Sequence, residues 1–109
     1  MTLEMREPTF VILSSLAAGP RHGYGIITDA AALTDDTLRL QAGTLYAALD
    51  RLRVDGLVEV ASEEIVQGRL RRSFALTENG RARLSAEAER RRRGAETALR
   101  RLRVTGVGA

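Results

Sequence analysis

The hydrophobic period of this 109-residue chain changes twice, and each change falls at a glycine or a capping residue. Up to Gly56 apolar residues recur at helical spacing, from Leu57 to Leu76 they alternate, and from Glu78 onward the helical period returns. Side chains share a face every 3.6 residues on a helix and every second residue on a strand, so this order predicts helices, a two-stranded hairpin and a last helix. A chain of this length holds one core.

Pro8 suits a first helical turn, Gly19 the residue just past the end, and Pro20 blocks continuation, which predicts a helix of about three turns. It is apolar on more than one face, so a second subunit is expected to supply part of its cover. A second helix is expected over Gly23 to Ala32, with Ile26, Ile27, Ala30 and Ala31 inward, ended by Thr34-Asp35-Asp36. Thr37 to Leu40 alternates and reads as a brief strand. Leu45, Leu49 and Leu52 stand at i, i+4 and i+7, the inward stripe of a third helix that begins near Gln41 and stops at Gly56. Leu57 to Ser62 and Arg69 to Leu76 read as an antiparallel pair joined by a loop through Glu63, Glu64, Gln67 and Gly68. Thr77 is placed to cap a final helix from Glu78 to Arg103, although Gly80 stands where a reciprocal capping-box Glu or Gln would be. Its seam of Leu84, Ala88, Ala95, Leu99 and Leu102 is thin, is interrupted by Arg91, and is expected to pack against a partner helix.

Charge separates along the chain. All 17 basic residues are arginine; residues 1 to 64 carry five of them against ten acids, and residues 65 to 109 carry twelve against four. Guanidinium-rich segments at Arg69 to Arg72 and Arg90 to Arg93 suit phosphate or carboxylate partners. The absence of Cys and the single His exclude a disulfide framework, a thiolate nucleophile and an imidazole-rich metal site, so no cofactor or metal is expected. The longest apolar run, Phe10 to Leu13, is far short of the ~20 residues of a membrane span. Ser14 and Ser15 lie in an apolar helix with no general base beside them, which argues against an enzyme. A soluble, cytoplasmic, non-enzymatic protein is expected.

Helix, helix, short strand, helix, hairpin, long helix is the order of a winged helix-turn-helix domain with an added C-terminal helix. The expected fold is thus mainly α with a small β-hairpin wing: residues 1–77 form the DNA-binding domain, residues 78–104 the dimerisation helix and residues 105–109 a loose tail. Gln41, Ala42, Gly43 and Thr44 open the third helix with small or hydrogen-bonding side chains that let it approach base edges in a major groove. Gln67, Arg69 and Arg71 at the hairpin tip can reach adjacent phosphates. Arg51 also comes within reach of a phosphate, whereas Arg53 is expected to pair with its neighbours.

Four blocks carry a resemblance to a known family: His22-Gly23-Tyr24-Gly25-Ile26, Gly43-Thr44-Leu45-Tyr46-Ala47-Ala48-Leu49-Asp50-Arg51-Leu52, Asp55-Gly56-Leu57-Val58 and Leu76-Thr77-Glu78-Asn79-Gly80. In this order they resemble the signature of PadR-family transcriptional regulators over roughly residues 8 to 90. The length and single C-terminal helix resemble the smaller subfamily. The resemblance implies a homodimeric repressor on a palindromic operator, with the first and last helices forming the dimer contact. It also implies that Tyr24, Thr44 and Tyr46 lie at or near DNA. The family's usual aromatic before the final Leu-Thr is replaced by Phe74-Ala75, without the hydroxyl.

From position alone Tyr46 is either a core aromatic or a base or phosphate contact, and Tyr24 a packing residue whose hydroxyl nears the backbone of DNA. Expected dimer residues are Phe10, Leu13, Leu84, Ala88, Arg91, Ala95, Leu99 and Leu102. Arg91 either fixes the register of the two subunits or lines a space for an acidic effector. The resemblance implies a small apolar or aromatic effector; with no Trp in the chain, stacking on indole is excluded. An RNA-binding domain or a small protein-association module remains the alternative, although the exposed aromatic platform that single strands need is missing.

Overall fold

A computed structural model describes residues 5–104. Its elements are α1 (Glu7–Ala17), β1 (Arg21–His22), α2 (Gly23–Leu33), α3 (Ala42–Val54), β2 (Val58–Val66), β3 (Arg69–Leu76) and α4 (Glu78–Val104). The expected tail at Thr105 to Ala109 lies outside the described residues.

Ile12, Leu13 and Leu16 of α1, Ile26 of α2, and Leu45 and Leu49 of α3 are wholly enclosed, and Val58, Phe74 and Leu76 close the core from the sheet. The chain therefore covers α1 with its own α2, β3 and α4, and the expected cover from a second subunit is not needed. Leu13, taken from the sequence as a dimer residue, has no exposed surface to offer one, and Leu84 is almost as deeply buried. Apolar residues on several faces of a short helix mark burial, and sequence alone does not say which chain does the burying.

The sheet has the order β1-β3-β2, antiparallel throughout. β2 runs on to Val66, so the expected loop shrinks to Gln67-Gly68, both with positive φ (52° and 76°), a two-residue turn whose twist matches its strands. One residue is bulged between Val60 and Ser62, and beside it the hydroxyls of Ser62 and Ser73 share a 2.6 Å hydrogen bond. The brief strand expected at Thr37 to Leu40 is absent. Arg21-His22 takes the free edge of β3 instead, so Leu38 and Leu40 serve the core without joining the sheet, and Leu38 N donates to Thr34 Oγ1 at 3.0 Å.

The start of α4 is fixed by a knot of backbone contacts. Thr77 Oγ1 donates to the Gly56 carbonyl at 2.6 Å and accepts from Gly80 N at 2.9 Å, and Thr77 N donates to the Leu57 carbonyl at 3.1 Å. The Leu57 carbonyl lies against Gly80 so closely that a Cβ there would overlap it. That approach explains why glycine occupies the place of a capping-box Glu.

The first half of α4 packs on α1 and β3, and its anchor is ionic. Glu87, 4% exposed, accepts from Arg90 Nη2 at 2.6 Å and from Arg91 Nε at 2.8 Å. Arg91 reaches on to Glu7, donates to the Met5 carbonyl at 3.1 Å and stacks over the Phe10 ring at 4.0 Å. Arg91 and Phe10 are thus committed to each other within one chain, where the sequence had placed both at a subunit seam. Ala88 and Ala95 are exposed, and Leu99 and Leu102 keep about half their surface open.

Candidate nucleic-acid interface

The core-facing stripe of α3 is Leu45, Ala48, Leu49 and Leu52, which turns Ala42, Gly43, Thr44, Ala47 and Asp50 outward. Gln41 is the N-cap residue and makes no side-chain cap bond, so the first N–H groups of α3 keep their capacity to bind an acceptor. The outward surface of the first turn, Gln41 to Thr44, is small and uncharged. An approaching duplex would meet backbone, methyl and hydroxyl groups there rather than long cations.

Beside it, a groove of about 520 Å³ separates α3 from the wing, and is lined by His22, Gly23, Tyr24 and Tyr46 on one wall and Gln67, Arg69 and Arg71 on the other. Of the residues picked from sequence, Gln67, Arg69, Arg71, Tyr24 and Tyr46 share this groove, while Gln41 to Thr44 form the exposed helix start next to it. Tyr24 is 79% exposed, so its reading as a packing residue is corrected. Tyr46 combines both readings: its ring meets Phe74 edge-on at 6.3 Å between centroids, its hydroxyl lies over Gly23, and nearly half of it is exposed. Arg51 stands apart, two turns beyond Thr44, and lines a different cavity with Arg6 and Arg83. Arg53 pairs with Asp50 at 3.8 Å, as expected.

Three features of the groove escaped the sequence reading. His22 spans it: its Nδ1 lies 3.3 Å from the Arg72 carbonyl and its Nε2 3.6 Å from Glu64, which ties the start of α2 to the wing. The wing arginines face acids across the hairpin, with Arg72 3.5 Å from Glu63 and Arg71 in register with Glu64. The wing is therefore less positive than a count of its arginines suggests. Ile65 and Leu70, opposite each other near the tip, are both mostly exposed. Alternation placed these residues on strands, but with both wing faces in solvent it could not say what they would touch.

A mostly buried helical triad, an exposed α3 start and a hairpin standing beside it form a winged helix. The transcriptional regulator PadR-like family matches residues 12–86. This chain belongs to that family. A transcriptional regulator of Mycobacterium tuberculosis is 39% identical over 67 residues, 62% of this chain and 49% of its own length. An uncharacterized 37.1 kDa protein in a transposon of Streptomyces fradiae is 40% identical over 86 residues, 79% of this chain and 23% of that protein. The chain spans about half and about a quarter of these relatives. A PadR-like transcription factor from Bacteroides fragilis superposes with a TM-score of 0.70 at 28% identity, covering 84% of this chain and 85% of the other. Bacillus subtilis PadR in complex with operator DNA shares the fold, with a TM-score of 0.69 at 21% identity over 78% of this chain and 48% of that one. Among the described residues no helix is long and apolar enough to cross a membrane.

Proposed function

We propose that this PadR-family chain is a sequence-specific, double-stranded-DNA-binding repressor that acts in the cytoplasm as a homodimer on an inverted-repeat operator and releases it on binding a small ligand. The observation that carries the reading is the pairing of an exposed, uncharged helix start at Gln41 to Thr44 with a wing bearing Arg69 and Arg71 across one groove. The first supplies close contact to base edges, the second contact to phosphates, and the two together give both register and specificity. Tyr46, Tyr24 and Gln67 line the space between them and would meet the backbone of the duplex. Arg51 is left out of this contact set because its cavity lies elsewhere.

Exposed Ala88, Ala95, Leu99 and Leu102 on one stripe of α4 support the dimer. An apolar stripe on the far half of a helix that its own chain leaves uncovered is stabilised by a second copy. Two-fold symmetry then sets half-sites about 10 bp apart or a multiple of that spacing.

The test is retention on a duplex carrying an inverted repeat. Binding that falls as salt rises, with far weaker retention of the single strands, is the expected result. Equal binding to single strands points to an RNA-type partner, and no retention of any nucleic acid leaves protein association; either overturns the reading.

A further inference from the structure

The sheet is three-stranded only at its base. β1 pairs with Phe74 and Ser73 and goes no further, and β2 carries its bulge between Val60 and Ser62, so residues 63–72 stand out as a two-stranded ribbon. All of these residues except half-buried Val66 are exposed. A ribbon of two strands with solvent on both faces has little stability of its own and bends readily at a bulge. Its angle to α3 must nevertheless be set if Arg69 and Arg71 are to meet a phosphate while the helix start meets base edges. Among the described residues, the side-chain hydrogen bonds and ion pairs that run from the body of the protein to residues 63–72 all come from His22. The other pair there, Arg72 with Glu63 at 3.5 Å, joins the two strands to each other.

His22 reaches two acceptors at once, the Arg72 carbonyl from Nδ1 at 3.3 Å and a Glu64 carboxylate oxygen from Nε2 at 3.6 Å. A neutral imidazole has one N–H and can donate to only one of them, leaving a lone pair against the other. The imidazolium has two and satisfies both. Around it stand Arg71 and Arg72 of β3, Arg69 nearer the tip, the hydroxyls of Tyr24 on α2 and Tyr46 on α3, and Arg21 of its own strand, which pairs with Asp29 of α2 at 3.7 Å. Of these side-chain types only imidazole ordinarily changes charge between about pH 5 and 8. The same proton has a second effect. Glu64 is in register with Arg71, and a carboxylate engaged by His22 opposes a phosphate at Arg71 less.

We propose, resting on the reading of this groove as a duplex interface, that His22 is a positioning residue for DNA binding. As the imidazolium it locks the wing to the start of α2 and occupies Glu64; on losing its proton it releases Glu64 and lets the wing sway. Duplex binding that favours the imidazolium takes up a proton, so affinity rises as pH falls and drops as pH rises, and bound duplex in turn keeps the ring charged. His22 acts through the angle of the wing and the charge of Glu64.

The experiment has two arms, both on the full chain. Without DNA, nuclear magnetic resonance of the isotopically labelled protein follows the imidazole nitrogens together with the amides of Glu64 and Arg72 between about pH 5 and 8. His22 is the only histidine of the chain, so its ring signals are unambiguous. The two amides are expected to move with the ring and to stay in place in His22→Gln. With DNA, affinity for a mixed-sequence duplex at constant salt is expected to fall about three- to fivefold over the same rise in pH, the span of a partly exposed ion pair. His22→Gln and Glu64→Gln each flatten that dependence, while Glu59→Gln, which alters a carboxylate at the other end of β2, keeps it. A merely structural His22 would lower affinity equally at every pH when replaced and leave Glu64→Gln as pH-dependent as the native chain. That result overturns the proposal, as do amides of Glu64 and Arg72 that ignore the ring. A native chain that holds no duplex at any pH overturns the reading of the groove and this proposal with it, whereas duplex binding with one pH profile in native and His22→Gln chains overturns the role of His22 alone.

Discussion

The Tyr46 hydroxyl lies directly over Gly23, where a Cβ would fall 2.7 Å from the ring carbon Cζ and closer still to the oxygen. Two of the helices that face the groove therefore touch through the one residue type that leaves room. Gly23→Ala is expected to swing Tyr46 outward. Its ring is partly exposed and can move, so the loss of thermal stability should be small while operator affinity falls about tenfold or more as the groove wall is displaced. Tyr46→Phe separates ring from hydroxyl. Affinity measured on operator and on scrambled duplex checks both, and a Gly23→Ala protein that binds as before would show that Tyr46 sets no part of the interface.

Arg71 faces Glu64 in register without a close ion pair, so its guanidinium remains available to a phosphate. Arg71→Ala is expected to weaken binding to all sequences alike and to reduce the slope of log affinity against log salt by about 1. Glu64→Gln is expected to do the reverse, tightening binding by removing a carboxylate that opposes the phosphate. An unchanged salt slope in Arg71→Ala would remove the wing from the contact.

Glu87 links stability to pH. Hydrogen bonds from Arg90 and Arg91 outweigh the desolvation of its carboxyl and lower it from 4.5 to about 2. A carboxylate whose folded value is depressed contributes stability that is complete above its unfolded value and disappears as pH falls toward the folded one. The groups facing it are Arg90 and Arg91 on α4, with Glu7 from α1 on the far side of Arg91. Denaturant midpoints of the native chain and Glu87→Gln should differ most at neutral pH, and the gap should close between 4.5 and about 2. A gap that stays constant across this window would mean that Glu87 acts through shape rather than charge.

How much of this was legible in the sequence depends on what each signal reports. Leu45, Leu49 and Leu52 gave α3 because an inward stripe is a local pattern, and the core does bury them. The loop was expected to run from Glu63 through Gly68, longer than the two-residue turn at Gln67-Gly68, because glutamine hid that both residues take positive φ and let β2 continue to Val66. Thr37 to Leu40 misled because alternation records which side chains are buried, while a strand also needs a free edge, and Arg21-His22 had taken it. Arg91 misled in the same way: its spacing on the seam was right, but the carboxylate and ring that hold it come from the other end of the chain. At the interface, the small helix start was readable by residue type. The bridge from His22 to Arg72 and the second cavity around Arg51 arise only when segments distant in sequence are brought together.

Gly80 carries a prediction about the junction of wing and α4. An alanine methyl there would overlap the Leu57 carbonyl, which is backbone and cannot swing aside, so either the start of α4 or the strand entry must shift. Gly80→Ala should lose several kcal/mol, more than the ~1–2 kcal/mol expected for Thr77→Ala, which removes the cap and the hydrogen bond to the Gly56 carbonyl but creates no overlap. Denaturation of the two variants side by side checks the order. If Thr77→Ala were the worse, its 2.6 Å bond to the Gly56 carbonyl rather than the close approach would hold the junction.

Gly94 lies in the exposed half of α4, and a Cβ built there meets nothing within 4 Å. Mid-helix glycine costs about 1 kcal/mol relative to alanine through backbone entropy, so Gly94→Ala should stabilise the helix by roughly that amount if the position faces solvent. The proposed dimer adds a second consequence, because glycine also permits close approach of a partner helix along the stripe of Ala88, Ala95 and Leu99. The thermal midpoint measured at several protein concentrations separates the two effects. The expected result is a midpoint raised at every concentration, with its concentration dependence unchanged. A midpoint that instead falls, and falls most in dilute solution, would place the backbone of the second subunit against Gly94 and make that glycine part of the dimer contact.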